Sequence, residues 1–149
     1  MDDLGRSLKT HPFVADLAPE HAAFIVGCTK NVRYRAGEYL LHEGDREDTL
    51  FLIRQGIVAI EMPRAGGEPI TVETVGAGDV LGVSLLTPHA AHLDCRARET
   101  VLAFAIDNAC LHRKMDEDPR LGYAISMHLL ERTYTRLNRA RLQHLDVYR

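Results

Sequence analysis

Few cysteines are present, and their number and spacing argue against both a cysteine metal site and a disulfide-rich fold. The 149 residues contain three cysteines, Cys28, Cys95 and Cys110, too widely spaced for a metal motif of the C-x-x-C kind. An odd number also argues against a disulfide framework. We therefore expect the three side chains to be small, buried hydrophobic residues, with a redox-sensing thiol as the alternative.

Long apolar runs and an excess of positive charge are also absent. No run approaches the roughly 18 apolar residues of a membrane-spanning helix, and no basic segment precedes an apolar core as in a signal peptide. The net charge is −3, with a pI near 6.2, so nothing attracts the whole chain to nucleic acid. These absences predict a soluble, cytoplasmic protein that binds neither membranes nor DNA.

Motifs for catalysis are missing as well. The sequence contains neither a G-x-S-x-G nucleophile motif nor a G-x-x-x-x-G-K phosphate loop. Gly76-x-Gly78 lacks the remaining spacing of a dinucleotide-binding loop. The sequence therefore predicts a protein that is not an enzyme.

Short apolar stretches recur about every ten residues, and each is bounded by glycine, aspartate or proline. This rhythm is typical of an antiparallel sandwich or barrel. Gly44, Gly56 and Gly78 stand where tight turns need a positive φ, and Gly66-Gly67 is a candidate hairpin tip. The stretches are residues 39–41, 50–53, 57–60, 70–75 and 101–106.

Helices are predicted on both sides of these strands. The first runs from Pro19 to about Gly27, and a short one follows Asn108, a candidate N-cap. The last opens with Asp118 as cap and Pro119 at its first position, and continues to about Leu145. The fold class is thus mainly β with flanking α: one domain over residues 1–149, a β-roll over about 30–107 and a long helix over about 118–145.

Two apolar faces follow the long helix. Leu121, Ile125 and Leu129 lie on a side that can pack against the roll. A second set has the seam spacing of a two-helix contact and predicts a homodimer, although its members can instead dock the helix onto its own domain. Arg132, Arg136, Arg139 and Arg141 form a basic rim that we expect to be solvated. The seam consists of Tyr123, Met127, Leu130, Tyr134 and Leu137.

The order and spacing of three strings carry a resemblance to a known family. AGEYLLHEGD, LFLIRQGIVAIE and GDVLG resemble the cyclic nucleotide-binding domain of the catabolite activator and fumarate-nitrate regulator (Crp/Fnr) superfamily, over roughly residues 13–145. The resemblance implies a jelly-roll fold, a regulatory role in signal transduction and a cyclic nucleotide or other nucleotide as ligand. Transcription factors of the superfamily carry a helix-turn-helix after the long helix, whereas this sequence ends at Arg149, so we expect a free-standing sensor.

The resemblance also implies where a ligand binds. In the family, a glutamate after the GD-x-x-G turn holds the ribose and an arginine holds the phosphate; here Val83 takes the place of the glutamate, and His89 or Ala91 that of the arginine. Losing both groups predicts a non-standard nucleotide, a small anion or no ligand at all. Leu130 and Tyr134 are expected to cap the pocket. Its predicted residues are Gly82, Val83, Ser84, Leu85, His89 and Ala91.

Other interpretations stay open. His89 and His92, with His42 or Asp94 as a third ligand, have a spacing that a metal site can use, but eight histidines make such a spacing common, and we predict no metal. The strings GDVLG with Ser-Leu-Leu-x-Pro after it, HLDCRA, IDNACL and RLQHLDVY carry a weaker resemblance to free-standing accessory subunits of cytoplasmic hydrogenases and other redox enzymes, which implies a protein partner. A third possibility is a genuine cyclic AMP or cyclic GMP binder.

Overall fold

In the part of the chain that the structure describes, two antiparallel four-stranded sheets form the centre and five helices flank them. The computed structural model describes residues 3–45, 49–83, 91 and 93–147. The strands are β1 (Thr29–Tyr34), β2 (Tyr39–Leu41), β3 (Thr49–Gln55), β4 (Val58–Met62), β5 (Ile70–Val75), β6 (Val80–Leu81), β7 (Asp94–Ala97) and β8 (Val101–Asp107). The helices are α1 (Asp3–Leu8), α2 (Pro12–Ala15), α3 (Pro19–Val26), α4 (Asn108–Glu117) and α5 (Pro119–Val147).

Consecutive strands often belong to different sheets. One sheet has the order β1-β8-β3-β6 and the other β2-β7-β4-β5, so neighbours in the sequence are often not neighbours in a sheet. All pairings are antiparallel. The predicted fold class, mainly β with flanking helices and a long C-terminal helix, is confirmed.

Two hydrophobic cores lie on opposite faces of the first sheet. Leu50 and Leu52 of β3 face the helices, whereas Phe51 and Ile53 of the same strand face the second sheet, as the two-residue period of a strand requires. β8 is buried on both faces in the same way. This double burial explains the continuous apolar runs at 50–53 and 101–106.

The long helix α5 begins as the sequence predicts. The Asp118 carboxylate accepts hydrogen bonds from the backbone N–H groups of Arg120 (3.0 Å) and Leu121 (3.3 Å), and Pro119 stands at the first position. α4 differs from expectation, because its N-cap is Asp107 and not Asn108. The Asp107 carboxylate accepts from Ala109 N and Cys110 N, whereas Asn108 is buried inside the helix.

The inner face of α5 packs against the roll, as predicted. Leu121 and Ile125 are fully buried and Leu129 is 6% exposed, all within the core between helices and sheet. The five seam residues remain 45–71% exposed, so the alternative in which they dock the helix onto its own domain is wrong. None of the helices in the described part of the chain is long and apolar enough to cross a membrane.

The expectation that all three cysteines are unpaired is wrong. Cys28 and Cys110 form a disulfide with their Cα atoms 5.7 Å apart, and Cys95 is free and buried. The two bonded cysteines are separated by 82 positions, and only the packing of α4 beside the start of β1 brings them together. An odd number of cysteines therefore does not exclude a disulfide, since two of the three can pair and leave the third free.

Candidate functional site

A cavity of about 190 Å³ lies between the second sheet, the end of β6 and α5. Gly82, Val83 and Ala91, three of the predicted ligand residues, lie together in its wall. Ser84, Leu85 and His89 fall outside the residues that the structure describes. The full set of lining residues is Leu41, Ile60, Leu81, Gly82, Val83, Ala91, Leu93, Cys95 and Arg136.

Gly82 is required by the backbone at this point. Its φ is +91°, and a Cβ at this position would lie 2.5 Å from the carbonyl oxygen of Thr49. A side chain here would therefore meet both an unfavourable backbone conformation and a direct clash. The glycine lets the chain leave β6 close against β3 and brings Val83 into the cavity wall.

The wall is apolar apart from one cation. Within the described residues, Arg136 of α5 is the only charged residue that lines the cavity. Cys95 contributes a thiol that stays protonated, because burial raises its pKa to about 12. A guanidinium at the edge of an apolar cavity is a group that an anionic ligand can use.

Arg136 is held in place by acceptors from two strands. Its Nε and Nη2 donate to the two carboxylate oxygens of Glu73 on β5, at 2.9 and 3.1 Å, and its Nη1 donates to Val80 O at 2.7 Å. The side chains of Arg136 and Glu73 are only 19% and 16% exposed. The pair is thus bidentate and largely shielded, and it fixes the guanidinium beside the cavity.

One turn further along α5, Arg139 makes a second contact with the roll. Its Nη2 donates to Asp79 Oδ1 at 3.1 Å, while Asp79 Oδ2 accepts from the Gly76 N–H at 2.9 Å. Arg136 and Arg139 therefore attach the same helix to the turn and strand that precede Gly82. The expectation that this basic rim is solvated is wrong for Arg136, whose side chain is 19% exposed, whereas Arg139 pairs with Asp79 and remains 44% exposed.

The residues predicted to cap the pocket lie elsewhere on α5. Leu130 lines a neighbouring apolar groove of about 420 Å³ that shares Val83 with the cavity, and Tyr134 lines a surface groove with Met127 and Leu130. Neither residue is among those that line the cavity itself. Their role as a lid stays a prediction.

The residues considered for a metal are only partly described. His42 Nδ1 lies 3.9 Å from Asp94 Oδ1, while His89 and His92 fall outside the described residues. Within residues 3–45, 49–83, 91 and 93–147, no three or more His, Cys, Asp or Glu side chains lie close enough together to hold a metal ion.

Sequence reasoning missed Arg136, Glu73 and Asp79. A partial signal existed, since Arg136 and Arg139 are three positions apart and therefore share a helix face. The sequence gives no reason to pair that face with Glu73, because β5 and α5 are more than 40 positions apart. Only the tertiary structure distinguishes these arginines from Arg132 and Arg141.

Comparisons with known proteins agree with this architecture. The chain is 28% identical over 104 residues to cGMP-dependent protein kinase, isozyme 2 forms cD5/T2, of Drosophila melanogaster, which covers 67% of this chain and 11% of the kinase. It therefore spans about a tenth of the length of the curated relatives it matches.

Solved structures have the same fold. A putative cyclic nucleotide-binding protein from Geobacter metallireducens superposes with a TM-score of 0.79 at 23% identity, covering 92% of this chain and 99% of that one. The regulatory subunit of a cAMP-independent protein kinase A from Trypanosoma cruzi, bound to guanosine, has a TM-score of 0.62 at 24% identity, covering 85% and 47%.

The family model for the cyclic nucleotide-binding domain matches residues 31–118, more than half of the chain. The matched span includes β2 to β8, the turn at Gly82 and all of α4. The chain belongs to the cyclic nucleotide-binding domain family.

Proposed function

We propose that this chain is a non-catalytic regulatory domain that binds a small anion or a non-standard nucleotide in the cavity beside Gly82, with Arg136 as the cation. The observation that carries this proposal is the guanidinium of Arg136 in an otherwise apolar wall. The resemblance implies a ribose-binding glutamate and a phosphate-binding arginine, and this sequence has Val83 in place of the first and His89 or Ala91 in place of the second. In this proposal, recognition of negative charge therefore comes from Arg136 of α5.

The guanidinium has donors left for a ligand. Arginine carries five N–H groups, and Glu73 and Val80 O accept three of them. An anion in the cavity can use the other two or compete with the Glu73 carboxylate. Competition would weaken a contact that attaches α5 to the roll, so binding would be transmitted to the helix.

The cavity size favours a ligand smaller than a typical drug molecule. Its volume of about 190 Å³ is below the roughly 300–1,000 Å³ of common ligand pockets. The Trypanosoma cruzi structure with guanosine supports a nucleoside as the other class to test, because guanosine carries no phosphate. A small anion is charged and a nucleoside is not, so substitution of Arg136 should weaken binding of the anion more than binding of the nucleoside.

A thermal-shift screen with inorganic phosphate, cyclic AMP, cyclic GMP and guanosine tests the proposal. An anionic ligand should raise the melting temperature of the wild-type protein, since binding to the native state alone stabilises it. Arg136→Gln should weaken that binding by about 10- to 100-fold, the loss expected for a charge-assisted hydrogen bond.

Arg139→Gln is the matched control, because Arg139 also pairs with a carboxylate of the roll but does not line the cavity. Arg136→Lys keeps the charge and should retain part of the affinity. Equal affinity of the wild-type and Arg136→Gln proteins for every anion would contradict the proposal. No shift with any compound, together with co-purification of a partner enzyme, would favour the accessory-subunit interpretation.

A homodimer through α5 is the second part of the proposal. The exposed seam of Tyr123, Met127, Leu130, Tyr134 and Leu137 supports it, because large apolar side chains at seam spacing seldom remain in water. Two copies of the helix would cover each other's seams symmetrically. Ligand-dependent movement of α5 would then alter the contact between copies.

A further inference from the structure

The disulfide lies outside the cavity and joins two different parts of the chain. Cys28 stands between the end of α3 and the start of β1, and Cys110 is the third residue of α4. α4 leads into α5 with only Asp118 between them, and the two helices pack against each other. The bond thus connects the N-terminal helices to the helix pair that carries Arg136.

Other contacts hold the same elements together. The backbone N–H of Asp107 donates to Cys28 O at 2.9 Å, and Lys114 Nζ donates to Phe24 O at 2.6 Å. Cys28 belongs to the helix-side core, and Cys110 packs against it. Because these contacts do not depend on the sulfur atoms, they remain available to hold the surrounding elements when the bond is opened.

The disulfide borders an open groove of about 750 Å³. Cys110 is partly exposed beside this groove, whereas Cys28 is 7% exposed. Lys30 and Arg113 bring two positive charges to the groove, and Asp107 brings one negative charge. The Asp107 carboxylate caps α4 and accepts two backbone hydrogen bonds there. The two positive charges therefore dominate the groove, which favours an anionic molecule.

We propose that Cys28–Cys110 is a redox-active disulfide and that the groove admits an anionic low-molecular-weight thiol as its reductant. The proposal does not depend on a ligand in the cavity. It assigns a modification site and a substrate class to a surface that the ligand-binding function does not use.

The exchange balances with two molecules of thiol. The first thiolate attacks Sγ of Cys110, the more exposed of the two residues; a mixed disulfide forms there, and Cys28 leaves as a thiolate that takes up a proton. A second thiolate attacks the external sulfur of the mixed disulfide, releasing Cys110 as a thiolate, which is then protonated. The protein gains two electrons and two protons, and the small thiol is oxidised to its disulfide, which can drive the reverse exchange.

Reduction should change the attachment of α4 more than the fold of the roll. With the bond open, the hydrogen bonds of Asp107 and Lys114 and the packing of the helix-side core still join α4 to α3 and the start of β1, but no covalent link does. We expect faster amide exchange in α4 and the start of α5, with the strands of the roll unchanged.

The test is to equilibrate the full chain in glutathione buffers of increasing reducing strength and to count free thiols by rapid alkylation and mass spectrometry. The expected result is a pair of thiols that appears together at one midpoint within the accessible range. Cys95 is the internal control, because its buried side chain should remain unalkylated at every ratio in the native protein. In Cys28→Ser, a single glutathione adduct should form on Cys110.

Charge dependence tests the groove. Lys30→Gln with Arg113→Gln should slow reduction by glutathione by roughly 3- to 10-fold at low salt, and should leave reduction by neutral β-mercaptoethanol unchanged. Equal slowing with both reagents would overturn the assignment of the groove. A disulfide that stays closed in the most reducing buffer, or two thiols at every ratio, would overturn the redox proposal.

Discussion

His11 is a buried residue whose two ring nitrogens are both in use. Its Nδ1 accepts a hydrogen bond from Phe13 N at 3.1 Å and caps α2, and its Nε2 lies 3.1 Å from Ile53 O. One neutral tautomer satisfies both contacts, with the proton on Nε2. Protonation of Nδ1 would remove the cap, and burial lowers the pKa of His11 from 6.5 to about 4.

This pKa predicts a loss of stability in mild acid. Between pH 6.5 and about 4 the unfolded chain binds the proton and the folded one does not, so the free energy of unfolding falls as the pH decreases. The full loss from this one residue is about 3 kcal/mol, from the size of the shift. Urea unfolding at pH 7.5 and pH 4.5 measures it.

His11→Asn is the matched control, because asparagine keeps an acceptor for the α2 cap and does not titrate. Other titrating groups contribute equally to both proteins and cancel in the difference. The variant should therefore lose about 2–3 kcal/mol less than the wild type over this pH range. The same loss in both proteins would show that His11 is not the cause.

At the scale of elements, α5 has an inner face and an outer face with different roles. Ile125 is fully buried, whereas Leu130 is 62% exposed. Ile125→Ala should lower the free energy of unfolding by about 2–5 kcal/mol, the cost of a cavity in a packed core. Leu130→Ala should change the stability of the isolated chain by under about 0.5 kcal/mol.

The two variants are compared by urea unfolding and by sedimentation across a range of concentrations. If α5 pairs with a second copy, Leu130→Ala should weaken association while Ile125→Ala destabilises the chain. A Leu130→Ala protein that associates as strongly as the wild type would contradict the seam. An Ile125→Ala protein with unchanged stability would contradict the packing of the inner face.

The strands and the long helix could be predicted because their causes are local. The two-residue and seven-residue spacings of apolar side chains, and the pair Asp118-Pro119, are visible in the sequence. The Arg136–Glu73 pair and the Cys28–Cys110 bond could not be predicted, because each joins residues that only the tertiary fold brings together. The N-cap of α4 was missed by one residue, since Asp107 and Asn108 both suit that position.

At the scale of the whole molecule, the helices α4 and α5 are attached to different parts of the protein. The disulfide and Lys114 hold α4 to the N-terminal helices, and Arg136 and Arg139 hold α5 to β5 and to the turn before β6. A ligand at Arg136 and a reductant at Cys110 would therefore act on the same pair of helices from different sites. This arrangement suits a regulatory domain that integrates two inputs.

The central claim is that α5 supplies the charge recognition in a cavity where Val83 stands in place of a ribose-binding glutamate. Calorimetric titration of cyclic AMP into the wild-type and Arg136→Gln proteins tests it most directly. We predict no submicromolar binding to either protein, and weak binding to the wild type that falls by about 10-fold or more in the variant. Submicromolar binding of cyclic AMP that the substitution leaves unchanged would contradict the account.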